Sequence, residues 1–403
     1  MKVLQINTTV NTGSTGKITE GIGQQLINRG HDSSIAYGRR KVNKSESKLI
    51  TIGSKFDQLI HGLHTRILDR HGFASKKATT KLIQEIEHFN PDAIGLHNLH
   101  GYYLNIEVLF NFLSKFKKPV VWTFHDCWPF TGHCAFYDSV QCKRWQDACF
   151  SCPKKKSYPS SYFLDQSTKN FLDKKKLFNQ VKDLQIITPS HWLKNEVNQS
   201  FLSGIPCKTI HNGIDLEVFY PREGDMISTK YLLQSKKVVL GVANIWSKRK
   251  GLGDFLKLAE GLPEEYQIIL LGLNKKQINK LPDNIIGITR TESVDEMVSL
   301  YNIASVFVNP TIEDNFPTTN IEALACGTPV ITYNTGGSPE AIDEETGKVV
   351  EKGDVKGLWE GIQSFSEADP NDISKKCRER AERYFDREER FKDYVELYEK
   401  TVQ

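Results

Sequence analysis

No apolar run in the 403-residue chain approaches the ~18 residues a membrane span needs, which argues against a transmembrane segment. The opening MKVLQINTTV has no long apolar core of the kind a secretory leader carries, so the expected location is the cytoplasm. Charge of one sign is scarce as well. Lys and Arg number 53 against 49 Asp and Glu, a net +4, which gives no electrostatic case for nucleic acid as a partner. Asp-x-Asp occurs nowhere, so the paired carboxylates that hold a divalent ion on a diphosphate are missing. A Walker loop is missing too. In NTGSTGKIT (11–19) the first glycine position holds Asn11, and Ile18 follows Lys17 where a magnesium-binding hydroxyl would stand.

What is present is alternation of strand and helix, the pattern of parallel sheets. Strands are expected at 2–7, 33–38, 93–98, 120–125 and 185–190, with helices at 17–29, 79–89 and 105–117. After HNGIDLEVFYPRE (211–223) the alternation resumes, with strands at 237–244, 266–272, 285–289, 306–310 and 329–334. The chain therefore reads as two open α/β units joined near residues 220–230, with ligands expected beyond the carboxyl ends of the strands. In the last helical stretch, Phe385, Phe391, Tyr394, Val395 and Tyr398 fall on one side, as in a helix docked by an apolar stripe.

The most informative segment is NPTIEDNFPTTNIEALACGTPVITYNTGGSPEAI (309–342). Asp314 stands in a loop after a strand and Glu322 in the first turns of the next helix. Pro317, Thr318 and Thr319 lie at that helix N-terminus, where free N–H groups suit a phosphate oxygen. A carboxylate one turn on can accept the hydroxyls of a ribose; it can also simply cap its helix.

This segment resembles the donor-site signature of retaining glycosyltransferase family 4, which has the GT-B fold. That signature is an acid, seven residues, a Glu, then Ala-x-Ala-x-Gly-x-Pro-Val; here it reads DNFPTTNIEALACGTPV, with Asp314 in place of the usual first Glu and Glu313 one residue too early. HNGIDLEVFYP (211–221), GGSPEAIDEETGKVV (336–350), TPSHWL (188–193) and FHD (124–126) resemble further parts of the family.

The resemblance implies two Rossmann-like domains facing across a cleft. An acceptor-side domain would span 1–222 with a Cys-rich insert at 126–156, a donor domain 223–380, and a C-terminal helix, 381–403, would cross back to the first domain. It implies sugar transfer from a nucleotide sugar, with UDP favoured, to a saccharide or lipid-linked acceptor in cell-surface polysaccharide synthesis, with peripheral membrane contact. No cofactor is expected for catalysis. Gly13 and Gly16 would approach the donor phosphates. Arg249 and Lys250, in ANIWSKRKGLGDF after Asn244, would stabilise the departing diphosphate. Phe316, Pro317, Thr318, Thr319 and Glu322 would complete the donor site, with Asp314 near the sugar. His125, at a strand end, would reach the transferred sugar, and His97 and Asn98 would lie on the acceptor side. Tyr102, Tyr103 and the lysine run 174–176 could face the acceptor, the membrane or the core.

Five of the 8 cysteines crowd HDCWPFTGHCAFYDSVQCKRWQDACFSCPKKK (125–156). Cys134, Cys142, Cys149 and Cys152 make a candidate structural Zn2+ site, with Cys127 or His133 able to replace one ligand; buried free thiols or an oxidised pair are the alternatives. The basic residues of this insert leave a zinc-loop nucleic-acid binder as a rival, and a nucleotide-sugar epimerase of the same fold is a nearer one.

Overall fold

The computed structural model describes residues 1–39, 42–222, 230–231, 233 and 236–402. It divides into two compact units, Met1–His211 with Glu388–Gln403, and Asn212–Arg387. The expected junction near 220–230 lies, over 223–229, outside the described residues.

The first unit is built on seven strands: β1 (Lys2–Asn7), β2 (Asp32–Tyr37), β3 (Lys48–Thr51), β4 (Ala93–Leu96), β5 (Val120–Thr123), β6 (Leu184–Thr188) and β7 (Cys207–Thr209). They pair in parallel in the order β3-β2-β1-β4-β5-β6-β7. Their apolar runs are buried on both faces by helices, as parallel sheets require. The helices are α1 (Gly13–Asn28), α2 (Lys55–Leu68), α3 (Lys76–Phe89), α4 (Ile106–Leu113), α5 (Ser167–Phe178) and α6 (His191–Asn198). α1 begins at Gly13 rather than at Lys17, so GSTGK is the first turn of a helix and not a loop before one.

The second unit has six parallel strands in the order β10-β9-β8-β11-β12-β13. These are β8 (Lys237–Val242), β9 (Tyr266–Leu271), β10 (Ile285–Ile288), β11 (Ala304–Asn309), β12 (Val330–Tyr333) and β13 (Gly347–Val350). Its helices are α7 (Leu252–Glu260), α8 (Lys275–Ile278), α9 (Val294–Ile303), α10 (Thr318–Ala325), α11 (Val355–Ser366) and α12 (Pro370–Phe385); α13 (Arg387–Val402) closes the chain. The short strands β3, β7 and β13 carry no strong alternation and were not expected from the sequence.

The C-terminal stretch is two helices broken at Asp386, which has an extended backbone. Phe391, Tyr394, Val395 and Tyr398 pack with Val3, Ile22 and Val121 in the first unit. Phe385, expected on the same stripe, instead belongs to α12 and the core of the second unit. Residues 212–222, expected with the first unit, pack with the second. The Ile214 N–H donates to the Phe385 carbonyl (2.7 Å), the Arg387 N–H donates to the Ile214 carbonyl (3.1 Å), and Ile214 and Phe219 enter that core. Among the described residues, no helix is long and apolar enough to cross a membrane.

Candidate active site

In each sheet the strand order reverses at one place, β1 against β4 in the first unit and β8 against β11 in the second. Such a switch point opens a crevice beyond the strand ends, where ligands bind in open α/β sheets. The residues that follow these four strands hold most of the sequence-derived candidates.

In the second unit, β8 leads to Lys248–Lys250 and β11 to Pro310–Asp314. Gly251 sits at φ 77°, and a Cβ there would come within 2.2 Å of the Pro310 carbonyl oxygen. Only glycine allows that approach, and it brings the two segments together. The Ile312 N–H donates to the Arg249 carbonyl at 2.9 Å, and Arg249 Nη1 donates to the Glu313 carbonyl at 2.7 Å. The result is an ion pair of Lys250 Nζ with Asp314 Oδ2 at 2.5 Å, with Arg249 Nη1 at 4.0 Å from the same oxygen. Both Lys250 and Asp314 are mostly buried, whereas Glu313 is fully so. The acid in register with the signature is thus the one that meets the cations.

Glu322, on α10, accepts a hydrogen bond from the Tyr301 hydroxyl at 2.8 Å. Tyr301 is fully buried, and burial, with the Glu322 charge beside it, pushes its pKa well above the ordinary value, so it stays a donor. α10 starts at Thr318 with Pro317 as its N-cap and no side-chain cap bond. Phe316 is buried beneath it, against Phe385. Asn320, inside the helix, accepts from Asn309 Nδ2 (2.7 Å) and donates to Ser338 Oγ (3.0 Å), which meets Thr332 Oγ1 at 2.7 Å. This network ties α10 to the ends of β11 and β12. Asn244, by contrast, is exposed past β8, and the structure does not bring it into the group.

In the first unit, the imidazoles that end β4 and β5 stack. The His97 and His125 rings lie 5.5 Å apart at 18°, with His97 Nδ1 3.2 Å from His125 Nε2. Gln5 Nε2 donates to the Thr19 carbonyl (2.9 Å), which turns Gln5 Oε1 toward His97 Nε2 (3.1 Å). His97 Nε2 therefore donates, His97 Nδ1 accepts, and His125 Nε2 is the donor to it. Burial holds His97 well below the ordinary imidazole value; burial, partly opposed by Asp126, lowers His125 to about 4. Both rings are neutral at pH 7. Beside them, burial works against the Asp126 charge, but His100 Nε2, 2.8 Å from Oδ2, and the Trp128 N–H keep its carboxyl below the ordinary value. Asn98 is fixed through its backbone, its carbonyl accepting from Thr8 Oγ1 (3.0 Å) and the Tyr103 hydroxyl (2.7 Å). Gly16 is buried where a Cβ would meet Thr9 Oγ1 at 2.8 Å, so it serves close packing of α1 on its own loop, while Gly13 is open. Gln5, Tyr301 and His100 belong to no recognisable motif, while Asn320 and Asp126 lie inside motifs but their partners are set only by the fold.

Cys134, Cys142, Cys149 and Cys152 all line one cavity of about 20 Å³, with His133, and all are free thiols. Cys127 is buried outside that lining.

Two parallel-sheet, Rossmann-like units with a cationic group and a helix N-terminus at one switch point define the GT-B class of sugar transferases. The chain belongs to glycosyltransferase family 4: that family's model matches residues 16–218, and the model described as glycosyl transferases group 1 matches 225–384. WcaC of Escherichia coli strain K12, named as a colanic acid biosynthesis glycosyl transferase, is 24% identical over 371 residues, covering 89% of each chain. Among solved structures, sucrose-phosphate synthase from Thermosynechococcus elongatus superposes with a TM-score of 0.71 at 18% identity, over 99% of this chain and 98% of that one. Anabaena HepE in complex with UDP gives 0.69 at 14% identity, over 99% and 100%. These likenesses show the fold, and the family makes the chain a glycosyltransferase.

Proposed function

We propose that this glycosyltransferase takes its sugar from a UDP-sugar, retains the anomeric configuration, works without a catalytic metal, and passes the sugar to a lipid-linked saccharide in cell-surface polysaccharide synthesis at the cytoplasmic membrane face. The observation that carries the reading is the Lys250–Asp314 pair, with Arg249 beside it, at the switch point of the second unit. A departing diphosphate gains negative charge, and fixed cations placed there stabilise it where a metal otherwise would. On this reading Lys250 and Arg249 take the diphosphate together with the N–H groups at Pro317–Thr319, and Phe316 supports that turn. In the first unit, Gly13, open at the start of α1, is the position suited to close approach by a phosphate. Glu322, oriented by Tyr301, accepts the ribose hydroxyls. Asp314 holds Lys250 in place before the donor arrives and then orients the sugar. His125, neutral and held in one tautomer, serves the transferred sugar, with His97 and Asn98 on the acceptor side. HepE, solved with UDP and with UDP-glucose, and WcaC, named for colanic acid, favour this donor class and this pathway type.

The test is a thermal-shift screen of nucleotide sugars followed by transfer of the stabilising one to a membrane lipid extract. Stabilisation by a UDP-sugar and acceptor-dependent UDP release are expected. Stabilisation by other nucleotides alone, or an epimerised donor with no acceptor requirement, would overturn the reading.

A further inference from the structure

We propose that Cys134, Cys142, Cys149 and Cys152 bind one structural zinc ion. The insert that carries them has no strand and no α-helix between Thr131 and Gln166, only short 3-10 turns at Asp138–Val140 and Arg144–Gln146. Yet its side chains converge, since all four thiols line a single small cavity. Three of them already carry polar partners. The Gly132 N–H donates to Cys149 Sγ at 3.1 Å, and the free thiols of Cys134 and Cys152 hydrogen-bond to each other. His133, in the same lining, has its Nδ1 against Asp69 at 2.5 Å. Among the described residues no three of these Sγ atoms lie within 4.8 Å of one another. Tetrahedral Zn–S bonds of about 2.3 Å need them closer, so binding draws the loop inward as the thiols give up their protons, and the bonds add folding energy to a segment whose regular structure is limited to short 3-10 turns.

Metal analysis of the untagged full chain tests this. About one zinc per chain is expected, released by a chelator together with loss of protease resistance across 131–165, and Cys142→Ser should lose it while His133→Gln keeps it. Cobalt substitution gives a second readout, thiolate-to-cobalt absorption, independent of how well the variants fold. Less than about a tenth of an equivalent with all thiols reactive, or a disulfide in the insert, would overturn the site.

A separate observation points to a second proposal, a docking face for an anionic lipid surface. It deepens the proposed function and rests on it for the membrane-borne acceptor. α2 buries His61, Gly62 and Thr65 and turns Phe56, Leu59, Ile60, Leu63 and Ile67 outward; Phe56 is 69% exposed and Leu59 56%. At 100° per residue these five share one side, with Lys55 and Arg66 along one edge. The segment after the cysteine insert extends the patch. The Tyr162 N–H donates to the Arg66 carbonyl, and the Leu164 N–H to that of Ile67, which lays exposed Tyr162, Phe163 and Leu164 beside the helix end. Lys155 Nζ donates to the Phe163 carbonyl at 3.2 Å, which sets another cation at the rim. The nearby acids are taken up within the fold, Asp57 by the Ser54 N–H and Asp165 by the N–H groups of Cys152 and Ser167. An apolar helix face edged by Lys and Arg is the composition that lies in a lipid headgroup layer, and a contiguous apolar patch of this kind marks an interaction surface. Of the residues that could face acceptor, membrane or core, Tyr103 and Lys174 are in the core, Tyr102 is half-buried, and Lys175 and Lys176 are exposed.

Co-sedimentation of the full chain with phosphatidylglycerol-containing and pure phosphatidylcholine vesicles is the test. Binding is expected with the former. It should fall about tenfold or more in Leu59→Glu/Leu63→Glu and about thirtyfold in Lys55→Ala/Arg66→Ala, with UDP-sugar binding unchanged in both. No vesicle binding by the parent chain, or a dimer that the Leu59→Glu/Leu63→Glu change splits, would overturn it, the latter making the face a contact between copies. Failure of UDP-sugar binding in the parent chain would instead sink the proposed function and leave the vesicle result standing.

Discussion

All 11 histidines lie at or before His211, and the second unit has none. The two units therefore solve the same problem, polar groups at a sheet's switch point, with opposite chemistry. The first holds His97 and His125 neutral, chained through Gln5 to a backbone carbonyl. The second holds full charges, Lys250 against Asp314 with Arg249 close by. A neutral chain fixes geometry without a net field, which suits orienting hydroxyls. A charged pair stores a field that a diphosphate can claim. The difference also says how each half should fail, the first by proton uptake and the second by loss of charge.

The largest effect should come from breaking the charged half. Lys250→Ala removes the cation at the leaving group, and kcat should fall by about 10²–10³, measured as UDP release under saturating donor. Asp314→Asn keeps the shape but frees Lys250 from its counter-ion. It should lower kcat by about tenfold, more than it changes donor KM, because an interaction that matters most in the transition state is read in turnover. Equal activity of Asp314→Asn with loss in Glu313→Gln would show that the signature is in the wrong register.

Next comes the neutral half. His125 has a folded pKa of about 4 and His97 one well below the ordinary value of about 6.5. Between those limits the unfolded chain binds more protons than the folded one, so stability rises with pH through the window and is complete above about pH 6.5. As pH falls from 6.5 toward 4 the first unit should lose stability, up to about 3 kcal/mol for His125 alone, while the second, with no imidazole, should respond less and only toward the acid end, where partnered carboxylates such as Glu296 and Asp343, held below their ordinary values, begin to titrate. Urea unfolding read by hydrogen exchange in each unit checks this. In His97→Gln the acid slope should flatten, whereas an equal slope in both units would remove the contrast.

Sequence patterns carried the two halves unequally. In the second unit the donor signature named Asp314 and Glu322, and the basic segment after the strand that ends near Asn244 named Lys250. Neither could show that Lys250 and Asp314 would pair, since that depends on Gly251 fitting against the Pro310 carbonyl. In the first unit His97 and His125 were legible as strand ends, but Gln5 looks like any polar residue in a strand, and its role exists only once β1 lies beside β4. The short edge strands β3 and β7 and the break at Asp386 escaped for a similar reason: tertiary pairing, not local pattern, decides them.

The smallest expected effect is the most discriminating. Glu322 and Asp314 are both acids of one motif, yet they meet different partners, a neutral phenol and an ammonium. If Glu322 holds the ribose, its bond is made equally in ground and transition states, so its loss should appear in KM and not in kcat. Glu322→Ala should raise donor KM by about tenfold, the worth of a hydrogen bond to a charged group. Tyr301→Phe leaves the carboxylate in place and removes only the donor that aims it. Its effect should be a rise of about two- to fivefold in donor KM, the worth of one ordinary hydrogen bond at most, with kcat unchanged. Combined with Glu322→Ala it should add nothing further to KM, because the bond it supplies acts through that one side chain. Additive changes in the double variant would mean that Tyr301 acts on the donor site by another route, and a kcat defect in Tyr301→Phe would mean that Glu322 belongs to the chemistry rather than to ribose binding.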